Sequence, residues 1–264
     1  LAKPKFYDFC VHTTPDGENT VSEMASLARY FGYRGIAVAN HTDKFSQAKP
    51  GNLEWSTAPV ASSAASSATS PVASGKESGI KDGFEVFQGI ELAEENPSKL
   101  QGLIGKFRKT VDVLIVHGGS EKTNRAAVEN PRVDILNHPA FEKSSGLNQV
   151  LAKTASENNV AIGLNLRPIL HLRGSRRIHL LSDLRANLEL ARKYEVSLIL
   201  LSDAASIFDL RAPMEILALG ELCGLEENEV VEALSTVPEE ILSRNRPGPG
   251  FIREGIEVLE EDCF

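Results

Sequence analysis

Apolar residues in this chain fall into short continuous runs, separated by stretches with helical periodicity. Seven runs read as strands: "FYDFCVH" (6–12), "GIAVANH" (35–41), "FEVFQGIEL" (84–92), "VDVLIVHG" (111–118), "VDILNHP" (133–139), "VAIGLNLR" (160–167) and "VSLILLSD" (196–203). Most are unbroken rather than alternating, as expected where both faces of a parallel sheet are buried. The stretches between them read as amphipathic helices. "TVSEMASLARYFG" has Thr20 as a cap, Glu23 three residues later and Gly32 at its end. "SGLNQVLAKTASENN" sets Leu147, Val150 and Leu151 on one face, and "RRIHLLSDLRANLELARKY" repeats leucine at helical spacing. Repeated βα units predict an α/β fold, a distorted TIM-like (βα) barrel with seven main strands. An open, doubly wound parallel sheet is the alternative, because closure is not written in the pattern.

Two segments depart from this rhythm. Residues from about 56 to 80, including "STAPVASSAASSATSPVASGKESG", are rich in Ser and Ala and nearly devoid of large apolar side chains. Such a stretch buries too little surface to offset its ordering entropy and reads as a disordered insertion after the second strand. Beyond Asn245 the chain is broken by Pro and Gly and then turns acidic. The expected organisation is one barrel domain over 1–244 carrying the insertion, with a loose, solvated tail over 245–264.

Composition narrows the class. The chain has 264 residues, 42% hydrophobic and 24% charged, with a net charge of −8. Those proportions suit a globular core and argue against coating nucleic acid or anionic membrane by bulk charge, although they allow a local basic patch. Cys10, Cys223 and Cys263 show no paired spacing, so neither a disulfide framework nor a structural zinc site is indicated. No run approaches the roughly 18 apolar residues of a membrane span, and the start lacks a signal-peptide core. A cytoplasmic protein without membrane contact is expected.

Candidate chemistry sits at strand ends. His12, His41, Glu91, His117, His138 and Asp203 each close a strand run. In a (βα) barrel those ends converge on one mouth, where imidazoles and carboxylates together make a ligand set for Zn, Mn or Fe. This arrangement resembles the polymerase-and-histidinol-phosphatase superfamily of metal-dependent phosphoesterases. That superfamily ends its first strand in Asp-x-His-x-His, its second in Asp-His and its last metal motif in Asp-x-His. Here "DFCVHT" has Cys10 for the first histidine, "VANHTD" has Asn40 for the aspartate, and "SDAAS" has Ala205 for the final histidine. A centre missing three ligands is expected to hold metal weakly or not at all, with Cys10 as a conceivable thiolate ligand.

From about Val111 to Arg244, and more loosely from Phe6, the chain also resembles the p30 family of ribonuclease P proteins, the archaeal protein component three. The landmarks are Ile-Leu-Asn-His-Pro at 135–139, Val-Ala-Ile-Gly running into Leu-Arg-Pro-Ile-Leu at 160–170, and Arg-Ala-Pro before Leu-Ala-Leu-Gly at 211–220. The resemblance implies a phosphatase-like barrel without a competent metal site. It implies a subunit of a ribonucleoprotein that removes the 5′ leader from precursor tRNA, with ribonuclease P RNA and other ribonuclease P proteins as partners. Mg²⁺ would serve the holoenzyme through its RNA. The competing reading is a metal-dependent phosphoesterase acting alone, and a third is a protein-only scaffold. The Ser/Ala insertion and acidic tail are departures from the family pattern.

Residues 165–185 hold five arginines, at 167, 173, 176, 177 and 185, against one acid, Asp183. Arg167, Arg173, Arg176 and Arg177 are the candidate contacts for RNA or a partner, with pairing to the protein's own carboxylates as the alternative. Ser175 is a candidate cap for the following helix, whose free N–H groups favour an anion. No aromatic residue interleaves with these arginines, so backbone and shape recognition is expected rather than base stacking. "GKFRKT" (105–110) and "RAAVENPR" (125–132) read as a solvated helix end and an exposed helix with its stop, while "HGGS" (117–120) fits equally a tight βα turn or backbone amides turned toward a phosphate.

Overall fold

The computed structural model describes residues 3–42, 83–140, 144–246, 251–253 and 256–257. The Ser/Ala-rich insertion lies outside the described residues, as does most of the tail. Seven strands form one parallel sheet in sequential order: β1 (Tyr7–Val11), β2 (Gly35–Val38), β3 (Glu85–Leu92), β4 (Val113–His117), β5 (Ile135–Asn137), β6 (Ala161–Asn165) and β7 (Leu198–Leu201). Helices return the chain between them: α1 (Val21–Phe31), α2 (Pro97–Phe107), α3 (Glu121–Val128), α4 (Gln149–Glu157), α5 (Arg167–His171) and α6 (Ser175–Tyr194). After β7 come α7 (Pro213–Cys223), α8 (Glu227–Val231), a π-helical turn and α9 (Val237–Asn245).

The barrel is nearly closed rather than open, which decides against the doubly wound sheet. Val11 bridges Ala204 in parallel, and the His12 amide donates to the Ala204 carbonyl at 2.8 Å. Lower in the seam between β1 and β7, the buried Asp8 carboxylate accepts from the amides of Cys10 and Ser202, each at 3.3 Å. Burial pushes the Asp8 carboxyl up to about 6, while hydrogen bonds from Ser202 and Cys10 only partly restrain it. One side chain thus replaces ladder hydrogen bonds where the two strands splay.

Inside the barrel, Tyr7, Phe9, Phe87, Val113, Ile115, Ile135, Ile199 and Leu201 form one cluster. Its floor is α9, through Ile241 and Leu242. The β1–β2 register shifts between Asp8 and Val11. This irregularity accounts for Phe9 and Cys10, adjacent in sequence, both joining the interior cluster. The helices pack on the outer face of the strands, as Leu100, Ile104, Leu151 and Ala155 do around Leu114, Val116 and Ile162.

The α1 signals are realised: Thr20 and Glu23 form a capping box, and Gly32 ends the helix at φ 89°. In α4 the buried stripe runs through Leu151, Ala152 and Ala155, whereas Val150, expected on the same face, is exposed. Adjacent helical positions lie about 100° apart, and Val150 falls on the far edge. In the tail, the described residues Phe251–Arg253 and Ile256–Glu257 form a short antiparallel pair.

Candidate functional site at the barrel mouth

The C-terminal strand ends bring all six candidate residues together. His12 Nε2 donates to Asp203 Oδ1 at 3.0 Å and lies 3.6 Å from Glu91 Oε2. His117 Nδ1 donates to Glu91 Oε1 at 2.9 Å. His41 Nε2 lies 3.5 Å from Glu91 Oε2 and 3.3 Å from His117 Nδ1, and His138 Nε2 is 3.5 Å from Asp203. The rings of His12 and His41 stack, as do those of His117 and His138. His138 and Asp203 sit at φ 47° and 55°, a left-handed backbone that non-glycine residues rarely adopt. Strain of that kind persists where surrounding contacts hold it, and here it accompanies two side chains turned into the mouth.

Three members of the site were not singled out from the sequence. Asp16 accepts from the His41 ring at 2.6 Å and from the His41 amide at 2.8 Å. Its Oδ2 also lies 3.4 Å from His12 Nδ1. Asp16 reaches this position because Gly17 follows it: a Cβ there would sit 2.3 Å from the His12 carbonyl oxygen. The signal was an acid four residues beyond His12, on the same strand-end loop. Asn137 donates to Glu91 Oε1 at 3.3 Å from the centre of the barrel, and Asn165 lies 2.8 Å from His138 Nε2.

Opposite charges within the cluster favour one another's ionised forms. Burial opposes a charge on His12, but Asp16, Asp203 and Glu91 outweigh it and push the imidazole up to about 10. His41 is raised in the same way, burial being outweighed by Asp16 and Glu91. Burial opposes ionisation of Asp203 and Glu91 too. His12 and His138 nonetheless hold Asp203 well below the usual carboxylate range, and His117, His138 and His41 lower Glu91. The Cys10 thiol lies 3.6 Å from both Glu91 and Asp203, and burial with those carboxylates and Asp8 keeps it protonated, its pKa well above normal.

The superfamily resemblance implies a metal centre, and the donors present fit one. Cys10, His12, Glu91 and Asp203 place a donor atom each within 4.8 Å of one another, as do His12, Asp16 and His41, and His41, Glu91 and His117. Asn137 Oδ1 is buried there without a hydrogen-bond partner among the described residues. An ion of the Zn, Mn or Fe class held by the first set would supply Lewis acidity. Asn40 is not available as a ligand in its present role, because its Oδ1 accepts from the Thr13 amide at 2.8 Å. Ala205 only lines the cavity, of about 350 Å³, together with Arg167 and the four histidines.

The four candidate arginines have different fates. Arg167 lies 3.3 Å from Asp209 Oδ2, so its guanidinium is engaged internally. Arg177 Nε donates to the Leu172 carbonyl at 2.7 Å and fastens the start of α6 to the end of α5. Arg173 and Arg176 are exposed, and neither has a carboxylate partner among the described residues. Ser175 does not cap α6. Gly174 occupies the cap position at φ 58° with no side-chain cap bond, and Ser175 is the first residue inside the helix, one position too late. No acid lies in that first turn, so Arg176 and Arg177 stand against the positive end of the helix dipole.

Among the described residues no helix is long and apolar enough to cross a membrane. A family model described as RNase P subunit p30 matches residues 5–247. The chain is 64% identical, over 100% of both chains, to Ribonuclease P protein component 3 of Methanosarcina mazei. It is 46% identical to the protein of that name from Methanococcoides burtonii, over 98% of this chain and 96% of that one. A cryo-EM structure of archaeal ribonuclease P with mature tRNA contains a chain matching with TM-score 0.69 at 25% identity, covering 97% of this chain and 99% of that chain. A Xaa-Pro dipeptidase with bound methionine matches with TM-score 0.55 at 10% identity, over 90% of this chain and 75% of that chain, a likeness of fold alone.

Proposed function

The chain belongs to the RNase P subunit p30 family, and from that membership we propose that it is a protein subunit of ribonuclease P. In that role it supports the catalytic RNA in endonucleolytic removal of the 5′ leader from precursor tRNA. The observation that carries this reading is the full-length match to a chain of archaeal ribonuclease P, in sequence and fold together. Its partners are ribonuclease P RNA and the other protein subunits, in the cytoplasm. The Mg²⁺ that assists hydrolysis belongs to the RNA, and this chain is not itself catalytic.

Arg173 and Arg176 are assigned to RNA phosphate. Their exposure, the uncapped α6 N-terminus and the missing acid in its first turn support that assignment. Replacing both with alanine is expected to weaken RNA binding while costing the free protein about 1 kcal/mol or less. Filter binding across a salt series should show the log–log slope flatten by roughly 0.7 to 0.9 per lost contact. Unchanged affinity and slope would remove these residues from the RNA interface.

The metal donors favour testing the phosphoesterase reading directly. With added Mn²⁺ or Zn²⁺ the isolated chain is expected to hydrolyse p-nitrophenyl phosphate no faster than buffer, since Ala205 offers no ligand and Asn40 is committed to the backbone. Turnover that disappears in His41→Ala would restore that reading.

A further inference from the structure

We propose that Phe208 is a stacking platform for an unpaired RNA base, set beside the phosphate-binding arginines; this rests on the ribonuclease P reading above. Phe208 is 78% exposed, in the loop between β7 and α7. A single exposed apolar side chain is ordinary. This one is unusual because its backbone is fastened on both sides. The Ile207 amide donates to Asn19 Oδ1 at 3.0 Å, and Arg211 donates to the Phe208 carbonyl at 2.7 Å. Asp209 accepts from the Ala205 amide and the Ser206 hydroxyl, each at 3.3 Å. The loop therefore holds its conformation while the ring projects into solvent, so little entropy remains to be lost on binding.

Tertiary contacts bring this loop to the arginines. His171, at the end of α5, contacts Asp209 Oδ1 at 2.6 Å, one residue from Phe208. Arg177 ties the next segment, which contains Arg173, to the same place through Leu172. Ile178 in the first turn of α6 and Met214 in the first turn of α7 are 67% and 68% exposed at the same end of the barrel. This end of the barrel thus carries an exposed aromatic ring, two exposed apolar side chains and, in Arg173 and Arg176, cations with no carboxylate partner among the described residues. Cations complement phosphate, and an aromatic face complements a base only where the base is out of a duplex. The face thus fits a single-stranded or bulged RNA segment, and it adds base contact to the backbone recognition expected from the arginines alone.

The test compares Phe208→Ala, Phe208→Leu and Phe208→Trp in the full chain, measuring affinity for ribonuclease P RNA across a salt series. Alanine and leucine are expected to weaken binding about tenfold with an unchanged salt slope, because a stacked ring releases no counterions, and tryptophan is expected to keep wild-type affinity. Probing the RNA with a base-modifying reagent should show one or a few unpaired bases protected by wild type and exposed by Phe208→Ala. Wild-type affinity in both Phe208→Ala and Phe208→Leu overturns the platform. So does full affinity in Phe208→Leu alone, because an apolar contact without a π-face would then suffice. Loss of binding to the other protein subunits, with RNA affinity intact, overturns it in favour of a protein-docking face. If the wild-type chain binds no RNA, the arginine assignment falls together with the platform, an outcome distinct from wild-type binding that ignores Phe208.

Discussion

Replacing Glu91 with alanine is expected to destabilise the protein by about 3–5 kcal/mol, the usual range for removing one partner of a buried ionic network. For a chain of this length that corresponds to a melting temperature lower by about 10 °C. Glu91 is completely buried, accepts from His117 and Asn137, and sits within 3.6 Å of His12 Nε2 and His41 Nε2. Without it, His12 and His41 lose a central counter-charge, and Asp16 and Asp203 are the carboxylates that remain against them among the described residues.

The pH dependence distinguishes this cause from simple loss of packing. His12 is raised in the fold to about 10, so its contribution is fully present below its ordinary value near 6.5 and is lost as pH rises through about 10. Asp203 and Glu91 are depressed, so their contribution is present above the ordinary carboxylate range and is lost as pH falls through their lowered values. In Glu91→Ala the histidines can shed protons at alkaline pH and relieve part of the loss. The deficit should therefore be larger at pH 6 than at pH 9, and Glu91→Gln should fall between wild type and alanine. Denaturant melts at the two pH values measure this. A deficit equal at both values would mean the histidines are neutral in the folded protein.

Asp134→Ala is expected to cost a similar amount, about 3–5 kcal/mol, at the opposite end of the barrel. Asp134 is buried just before β5 and accepts from the Leu114 amide at 2.8 Å. It also meets Arg108 at 2.5 Å, Arg244 at 3.0 Å and Asn245 at 2.9 Å. Those contacts join β4, the end of α2 and the end of α9, the helix that floors the barrel. Alanine leaves Arg108 short of its counter-charge and loosens the floor, whereas Asp134→Asn keeps an acceptor and should lose less. RNA affinity per folded molecule should be unchanged, because the arginine face lies at the mouth. If Asp134→Ala melts within about 2 °C of wild type, α9 is held by its apolar contacts alone.

The difference between these two acids shows what local sequence conveys. Glu91 was legible because it ends an apolar run and the barrel topology brings strand ends to one place. Asp134 begins a run, where the same topology reads as structural, and its three side-chain partners come from positions up to 111 residues away. Asp16 was missed for a related reason. "HTTPDGENT" has the composition of a loop, and nothing within the loop says that it folds back over His41.

The arginine stretch makes the same point in reverse. Its composition indicated a cationic patch, yet Arg167 is engaged by Asp209, Arg177 braces a turn, and Arg173 and Arg176 stand outward. Absence of aromatic residues within the stretch argues against stacking by its own side chains, and the proposed platform, Phe208, comes from a different loop. The sequence by itself determined the βα rhythm, the strand-end histidines and the family, because each is carried by neighbouring residues or by ordered motifs. Tertiary structure alone decided barrel closure through Asp8, the entry of Asp16 into the mouth, and which of these arginines find no carboxylate among the described residues. These depend on pairings between distant segments, whose approach is set by the packing of the whole barrel and by no local pattern.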